Sequence, residues 1–115
     1  MSPALIACAV VTAVSALVSF GFALAALRGA SGAQLTASRY ALVRSLALVV
    51  VAVVAALSGR EEFVVLAGIA MTLVQAGDGV VGLGLKDRAK TWGPFLTAAL
   101  NAAALLWAIG SGALS

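Results

Sequence analysis

Four long apolar segments constrain the fold of this chain more than any other feature of its sequence. They cover about residues 3–27, 38–57, 62–85 and 91–112, and only short connections separate them. A helix rises about 1.5 Å per residue, so about 20 mostly apolar residues cross the hydrocarbon core of a bilayer. Short connections favour antiparallel neighbours. We therefore expect an all-α integral membrane protein, in which residues 1–115 form one domain with four transmembrane helices in an up-down bundle.

The composition excludes several other classes of protein. Hydrophobic residues form 63% of the chain and charged residues 10%, whereas soluble domains carry about a quarter charged residues. Cys8 is the only cysteine and there is no histidine, so we expect no disulfide framework, no metal site and no cofactor. A catalytic triad with histidine is excluded for the same reason. The net charge of +3 comes from dispersed bases, so we expect no nucleic-acid partner.

Basic residues near the ends of the segments predict the orientation. One side of the membrane would hold Arg28, Arg39, Lys86, Arg88 and Lys90, and the other only Arg60, beside Glu61 and Glu62. Lysine and arginine are enriched on the cytoplasmic side of membrane proteins. We therefore expect a multi-pass protein of the cell membrane with both termini on the non-cytoplasmic side and the lipid bilayer as its surroundings.

Two charged residues, Arg44 and Asp78, fall inside the apolar segments and away from their ends. A charge at the centre of a membrane helix costs about 2.5–3.5 kcal/mol on insertion scales, so such residues are functional candidates. Counted along straight helices, Asp78 lies about 12 Å and Arg44 about 7–8 Å below the cytoplasmic boundary. We expect these two side chains to form an intramembrane ion pair, which would neutralise both charges.

Further polar side chains are expected at the same level of the bundle, and every segment contributes at least one. They are Ser19, Tyr40, Gln75, Thr97 and Asn101. A bundle that is polar at one level and apolar elsewhere indicates a pocket open to the cytoplasmic side. The structural alternative is that Arg44 extends to the interface and the other groups only join helices.

Several glycines surround Asp78, at positions 77, 79, 82 and 84. We expect them to let a neighbouring helix approach closely or to loosen the helix around the carboxylate.

The sequences Tyr40-Ala-Leu-Val-Arg44, Gln75-Ala-Gly-Asp78 and Trp92-Gly-Pro resemble an uncharacterised family of small four-helix membrane proteins, the domain of unknown function 4267. The resemblance covers about residues 15–110 and implies the architecture without an established activity. Family members often carry an acid directly after the arginine and a histidine near the start of the last helix. This chain has Ser45 after Arg44 and no histidine.

These residues support a hypothesis of a site for a lipophilic small molecule. Asp78, Arg44 and Tyr40 are the candidate catalytic residues, with Asp78 as general acid or base and Tyr40 as a donor. The candidate substrate-binding residues are Ser19, Gln75, Thr97 and Asn101. An isomerase or cyclase reaction needs only such groups and no cofactor.

Two other hypotheses stay open. The first is a proton-coupled transporter like the small multidrug exporters, which resemble the chain in size but carry a signature glutamate in their first helix that is missing here. The second is a structural or assembly subunit of a membrane complex, in which the Arg44–Asp78 pair only fixes packing. The small-residue-rich outer faces are compatible with a homo-oligomer.

Overall fold

A computed structural model of the chain describes residues 2–84 and 88–112, apart from the side chains of residues 82 and 88–91. The described residues form a bundle of four helices: α1 (Pro3–Arg28), α2 (Ala33–Ser58), α3 (Glu61–Gly84) and α4 (Arg88–Gly110). Each helix is long and apolar enough to cross a membrane. The prediction of an all-α chain with four such helices is confirmed.

The helices begin and end at residues suited to those positions. The Ser2 hydroxyl accepts a hydrogen bond from the Leu5 backbone N–H at 3.1 Å, and Pro3 occupies the first turn of α1, where its missing N–H costs little. Gly59 ends α2 with a positive φ of 69°, a conformation that glycine adopts without strain. Only Gly59 and Arg60 then separate α2 from α3, so these two helices are closely tied at that end.

Two helices begin earlier than the sequence analysis predicts. Helix α2 begins at Ala33 rather than near Ser38, because Ala33, Gln34 and Leu35 are good helix formers that extend it beyond its apolar stretch. Helix α4 begins at Arg88 rather than near Thr91. Leu85 and Lys86, the expected end of the third span and start of the next loop, lie outside the described residues.

Helices α1 and α3 form the centre of the bundle, since each of them contacts all three other helices. Helices α2 and α4 both flank α1 and α3 and do not contact each other over the described residues. At the end that carries Ser2 and Ser58, α1, α3 and α4 form a tightly packed apolar cluster: Ala4, Leu5, Cys8, Ala9, Val64, Val65, Ala104, Leu105 and Ala108. This end of the bundle is therefore closed by aliphatic side chains.

The outer surface is unusually apolar. Large aliphatic side chains are exposed on every helix, including Val14, Val54, Leu66 and Leu106. Only three residues of α2 are buried, and two of these are alanines. Contiguous apolar surface of this extent is rare on soluble monomers, and it is consistent with a multi-pass membrane protein.

One of the glycines around Asp78 allows a close approach between helices. A Cβ atom built on Gly79 would lie 2.5–2.8 Å from ring atoms of Phe95 on α4, whereas Gly77 and Gly84 have nothing within 4 Å of such an atom. The expectation of close approach therefore holds at Gly79 and is wrong at Gly77 and Gly84, because those two face open space. The helix runs unbroken from Glu61 to Gly84, so the alternative of a loosened helix around Asp78 is not supported.

We predict that Gly79→Ala lowers the free energy of unfolding by about 1–3 kcal/mol, since Phe95 must shift to make room for the methyl group. Gly77→Ala is the matched control, because the same methyl group meets nothing there and alanine is the better helix former. Reversible unfolding in mixed micelles would measure both changes. Equal effects of the two substitutions would contradict the close contact.

Candidate functional site

A cavity of about 1010 Å³ lies at the end of the bundle opposite to the aliphatic cluster, and all four helices line it. Its walls carry apolar side chains such as Val18, Phe22 and Val81. The polar side chains that line it are Ser19, Gln34, Ser38, Arg44, Ser45, Gln75, Asp78 and Thr97. The cavity therefore combines an apolar wall with a concentrated set of polar groups.

Arg44 and Asp78 lie in contact across the cavity between α2 and α3. Nη2 of Arg44 donates a hydrogen bond to Oδ1 of Asp78 at 3.0 Å. The arginine side chain is 51% exposed and the aspartate side chain 25% exposed, so the carboxylate is the deeper of the two. Among the described residues, neither side chain has another hydrogen-bond partner, which leaves the second carboxylate oxygen and the other guanidinium N–H groups available.

Gln75 is one turn before Asp78 on α3 and is 3% exposed. Its amide nitrogen lies 3.2 Å from the backbone carbonyl oxygen of Ser15 and 3.7 Å from the sulfur of Met71. A carbonyl oxygen only accepts hydrogen bonds, so the nitrogen of the amide must face Ser15. The amide oxygen of Gln75 receives no hydrogen bond from the residues that the structure describes.

Three hydroxyl groups of the cavity lining have partners within the bundle. The Ser19 and Ser45 hydroxyl oxygens lie 3.5 Å apart, between α1 and α2. The Thr97 hydroxyl donates to the backbone carbonyl of Pro94 at 2.9 Å and lies 3.3 Å from that of Gly93. Because its hydrogen is committed to its own helix, Thr97 offers only an acceptor to the cavity.

The structure does not place Tyr40 in the cavity. Its side chain is 75% exposed and is not part of the lining. Ala41 lines the cavity, and one residue corresponds to a rotation of about 100° around a helix. Tyr40 therefore lies on the outward side of α2, although it is only one turn from Arg44.

Asn101 also lies outside the cavity, in the closed interior of the bundle. It is 0% exposed, and its amide nitrogen donates to the Thr12 hydroxyl at 3.0 Å. It shares a face of α4 with Thr97 but lies one turn deeper, where α1 packs against α4. Its Oδ1 atom has no hydrogen-bond partner among the residues that the structure describes, so this residue joins two helices through one end of its amide.

Sequence reasoning missed three polar residues of the lining, Gln34, Ser38 and Ser45 on α2. They follow one another at spacings of four and seven residues, which places them on one face of a helix. The signal was present in the sequence. It was overlooked because Gln34 lies before the expected start of the span and Ser38 lies at that start.

Comparisons of the chain with protein-family models, with curated proteins and with solved structures found no match. Over the described residues, no group of three or more histidine, cysteine, aspartate or glutamate side chains could hold a metal ion.

The Asn101–Thr12 contact yields a stability prediction. Thr12→Val leaves both ends of a fully buried amide without a partner, and we expect it to lower the free energy of unfolding by about 1–3 kcal/mol. The double substitution Thr12→Val with Asn101→Leu removes both polar groups, so its stability is expected to lie near that of the unmodified chain. Unfolding in mixed micelles measures both, and a double variant less stable than Thr12→Val alone would contradict this reading.

Proposed function

We propose that this chain is a multi-pass protein of the cell membrane that binds a lipophilic small molecule in the cavity, with the polar end of that molecule at Arg44 and Asp78. The observation that carries the proposal is the cavity itself. It is large enough for a molecule of ordinary metabolite size, and its lining combines apolar side chains with eight polar ones, which include Arg44 and Asp78. Binding sites for small molecules have this combination of features.

The arrangement around Asp78 supports acid–base chemistry as the reaction. One carboxylate oxygen is held by Arg44 and the other is free to exchange a proton with a bound molecule. Arg44 can stabilise negative charge that develops on that molecule. A cofactor-independent isomerisation or cyclisation needs no more than these two groups. Tyr40 is left out of this proposal because it lies outside the cavity.

One observation favours transport as the second candidate function. The cavity lies at one end of the bundle, while the other end is closed by Leu5, Val64 and Val65, which are at most 1% exposed. A site accessible from one side only is what an alternating-access transporter presents in each of its states. Proton-driven uptake of an amphipathic cation into proteoliposomes would support this function, and its absence would remove it.

The resemblance to the domain of unknown function 4267 and assembly into a homo-oligomer stay predictions.

The proposed orientation can be tested at two exposed serines. In a Cys8→Ala background, Ser58→Cys is expected to react with a membrane-impermeant maleimide added outside intact cells, because the α2–α3 connection faces outward. Ser31→Cys, in the α1–α2 connection, is the matched control and should react only after the cells are opened. The reverse pattern would overturn the orientation.

Binding in the cavity can be tested with 1-naphthol, a fluorescent lipophilic probe, and the protein in nanodiscs. Ala41 lines the cavity, and Ala47 is exposed on the same helix. Ala41→Trp is expected to abolish saturable binding because the indole fills the cavity, whereas Ala47→Trp should leave binding unchanged.

The role of the carboxylate is tested in the same assay by Asp78→Asn, which removes the charge and keeps the size. We expect affinity for 1-naphthol to fall about tenfold, because Arg44 then lacks a partner of opposite charge and the bound molecule covers its unpaired charge. Glu62→Gln, an exposed carboxylate at the opposite end, is the control and should bind normally. Unchanged affinity of Asp78→Asn would exclude Asp78 from the site, and equal loss in both tryptophan variants would exclude the cavity.

A further inference from the structure

The charged side chains of the cavity lining balance each other. Among the described lining residues Arg44 is the one cation and Asp78 the one anion, and they are bonded to each other. A charged ligand would have to separate this pair or add a third charge with no partner, and an unpaired charge in apolar surroundings is costly. The cavity therefore favours a ligand without net charge.

Among the polar side chains of the lining, Gln75 presents a hydrogen-bond acceptor for which the described residues provide no partner. Gln75 is 97% buried, its nitrogen is held by the Ser15 carbonyl, and its oxygen has no partner in the described part of the chain. Thr97 also offers only lone pairs, because its hydrogen is donated to a backbone carbonyl. Ser19 and Ser45 face each other, so one hydroxyl donates to the other and the pair keeps a single free O–H donor.

A hydrogen-bond acceptor at Gln75 favours a ligand that carries a hydrogen-bond donor. Gln75 lines the cavity, and a hydroxyl or N–H group of a bound molecule can donate to its amide oxygen, which has no partner among the described residues. A site built around such a hydrogen bond also discriminates against an analogue that lacks the donor.

We infer that the cavity selects uncharged lipophilic molecules that carry a hydroxyl or N–H donor, such as phenols and long-chain alcohols, and that the amide oxygen of Gln75 is the group that recognises the donor. This inference rests on the proposed function and narrows it to one class of ligand. It assigns Gln75, rather than the charged pair, the selection of the ligand head group.

Four probes that share a naphthalene ring test the inference with the protein in nanodiscs and empty nanodiscs as the partition control. They are 1-naphthol, 1-methoxynaphthalene, 1-naphthylmethylammonium and 1-naphthoate. We expect 1-naphthol to bind about three- to tenfold more tightly than its methyl ether, as one neutral hydrogen bond provides. The cation and the anion should bind more weakly than 1-naphthol.

Gln75→Met keeps the length of the side chain and removes the amide oxygen. We expect it to bring 1-naphthol down to the affinity of the methyl ether while the ether binds as before, which also reports that the cavity is intact. Thr72→Val is the matched control, because Thr72 is on the same helix, bonds only its own backbone and does not line the cavity. If Gln75→Met does not fold, Gln75→Asn withdraws the oxygen by one methylene group and the same loss of preference is expected.

The outcomes separate the two proposals. If none of the four probes binds saturably, the proposed function fails. If the ether binds as tightly as 1-naphthol, if an ion binds most tightly, or if the preference survives in the Gln75 variants, the inference fails and the binding function stands.

Discussion

The bundle depends on the small side chains along one face of α1. Ala9, Thr12 and Ala16 are buried there, and their size allows three other helices to pack against a single one. A buried polar group needs a hydrogen-bond partner. The polar groups on this face of α1 therefore favour polar side chains at the facing positions of α3 and α4. Asn101 of α4 meets the Thr12 hydroxyl and Gln75 of α3 meets the Ser15 carbonyl. The same face of α1 thus provides both the close packing and the alignment of its neighbours.

The two ends of the bundle differ because the side chains that point inward differ in size. At the closed end, Leu5 fills the space between α1 and the valines Val64 and Val65 of α3. At the other end, the inward positions of α1 and α2 include alanines such as Ala23 and Ala41, which leave space between the helices. The polar groups of α3 border this space. The cavity therefore results from small inward-facing side chains on the helices and not from the conformation of a loop.

The number and kind of helices could be predicted from the lengths of the four apolar segments, because few structures other than membrane-spanning helices accommodate so many consecutive aliphatic residues. Depth along straight helices also sufficed to put Arg44 and Asp78 on one level, where the structure has them 3.0 Å apart. Depth does not determine the direction in which a side chain points. For this reason Tyr40, which was expected at the site, lies outside the cavity lining although its depth is close to that of Arg44. Depth also does not determine where the cavity ends and the helices pack directly against each other. Asn101 is one turn deeper than Thr97, so it is buried between α1 and α4 and does not reach the cavity. The start of α2 was missed because alanine, glutamine and leucine continue a helix beyond its apolar stretch.

The unequal connections between helices limit how this bundle can change shape. Two residues link α2 to α3 beside the aliphatic cluster, whereas four residues, Gly29–Gly32, link α1 to α2 beside the cavity. The short link holds the adjoining ends of α2 and α3 together, and α2 has fewer buried residues than α1. A widening of the cavity therefore costs least where the cavity end of α2 moves away from the bundle.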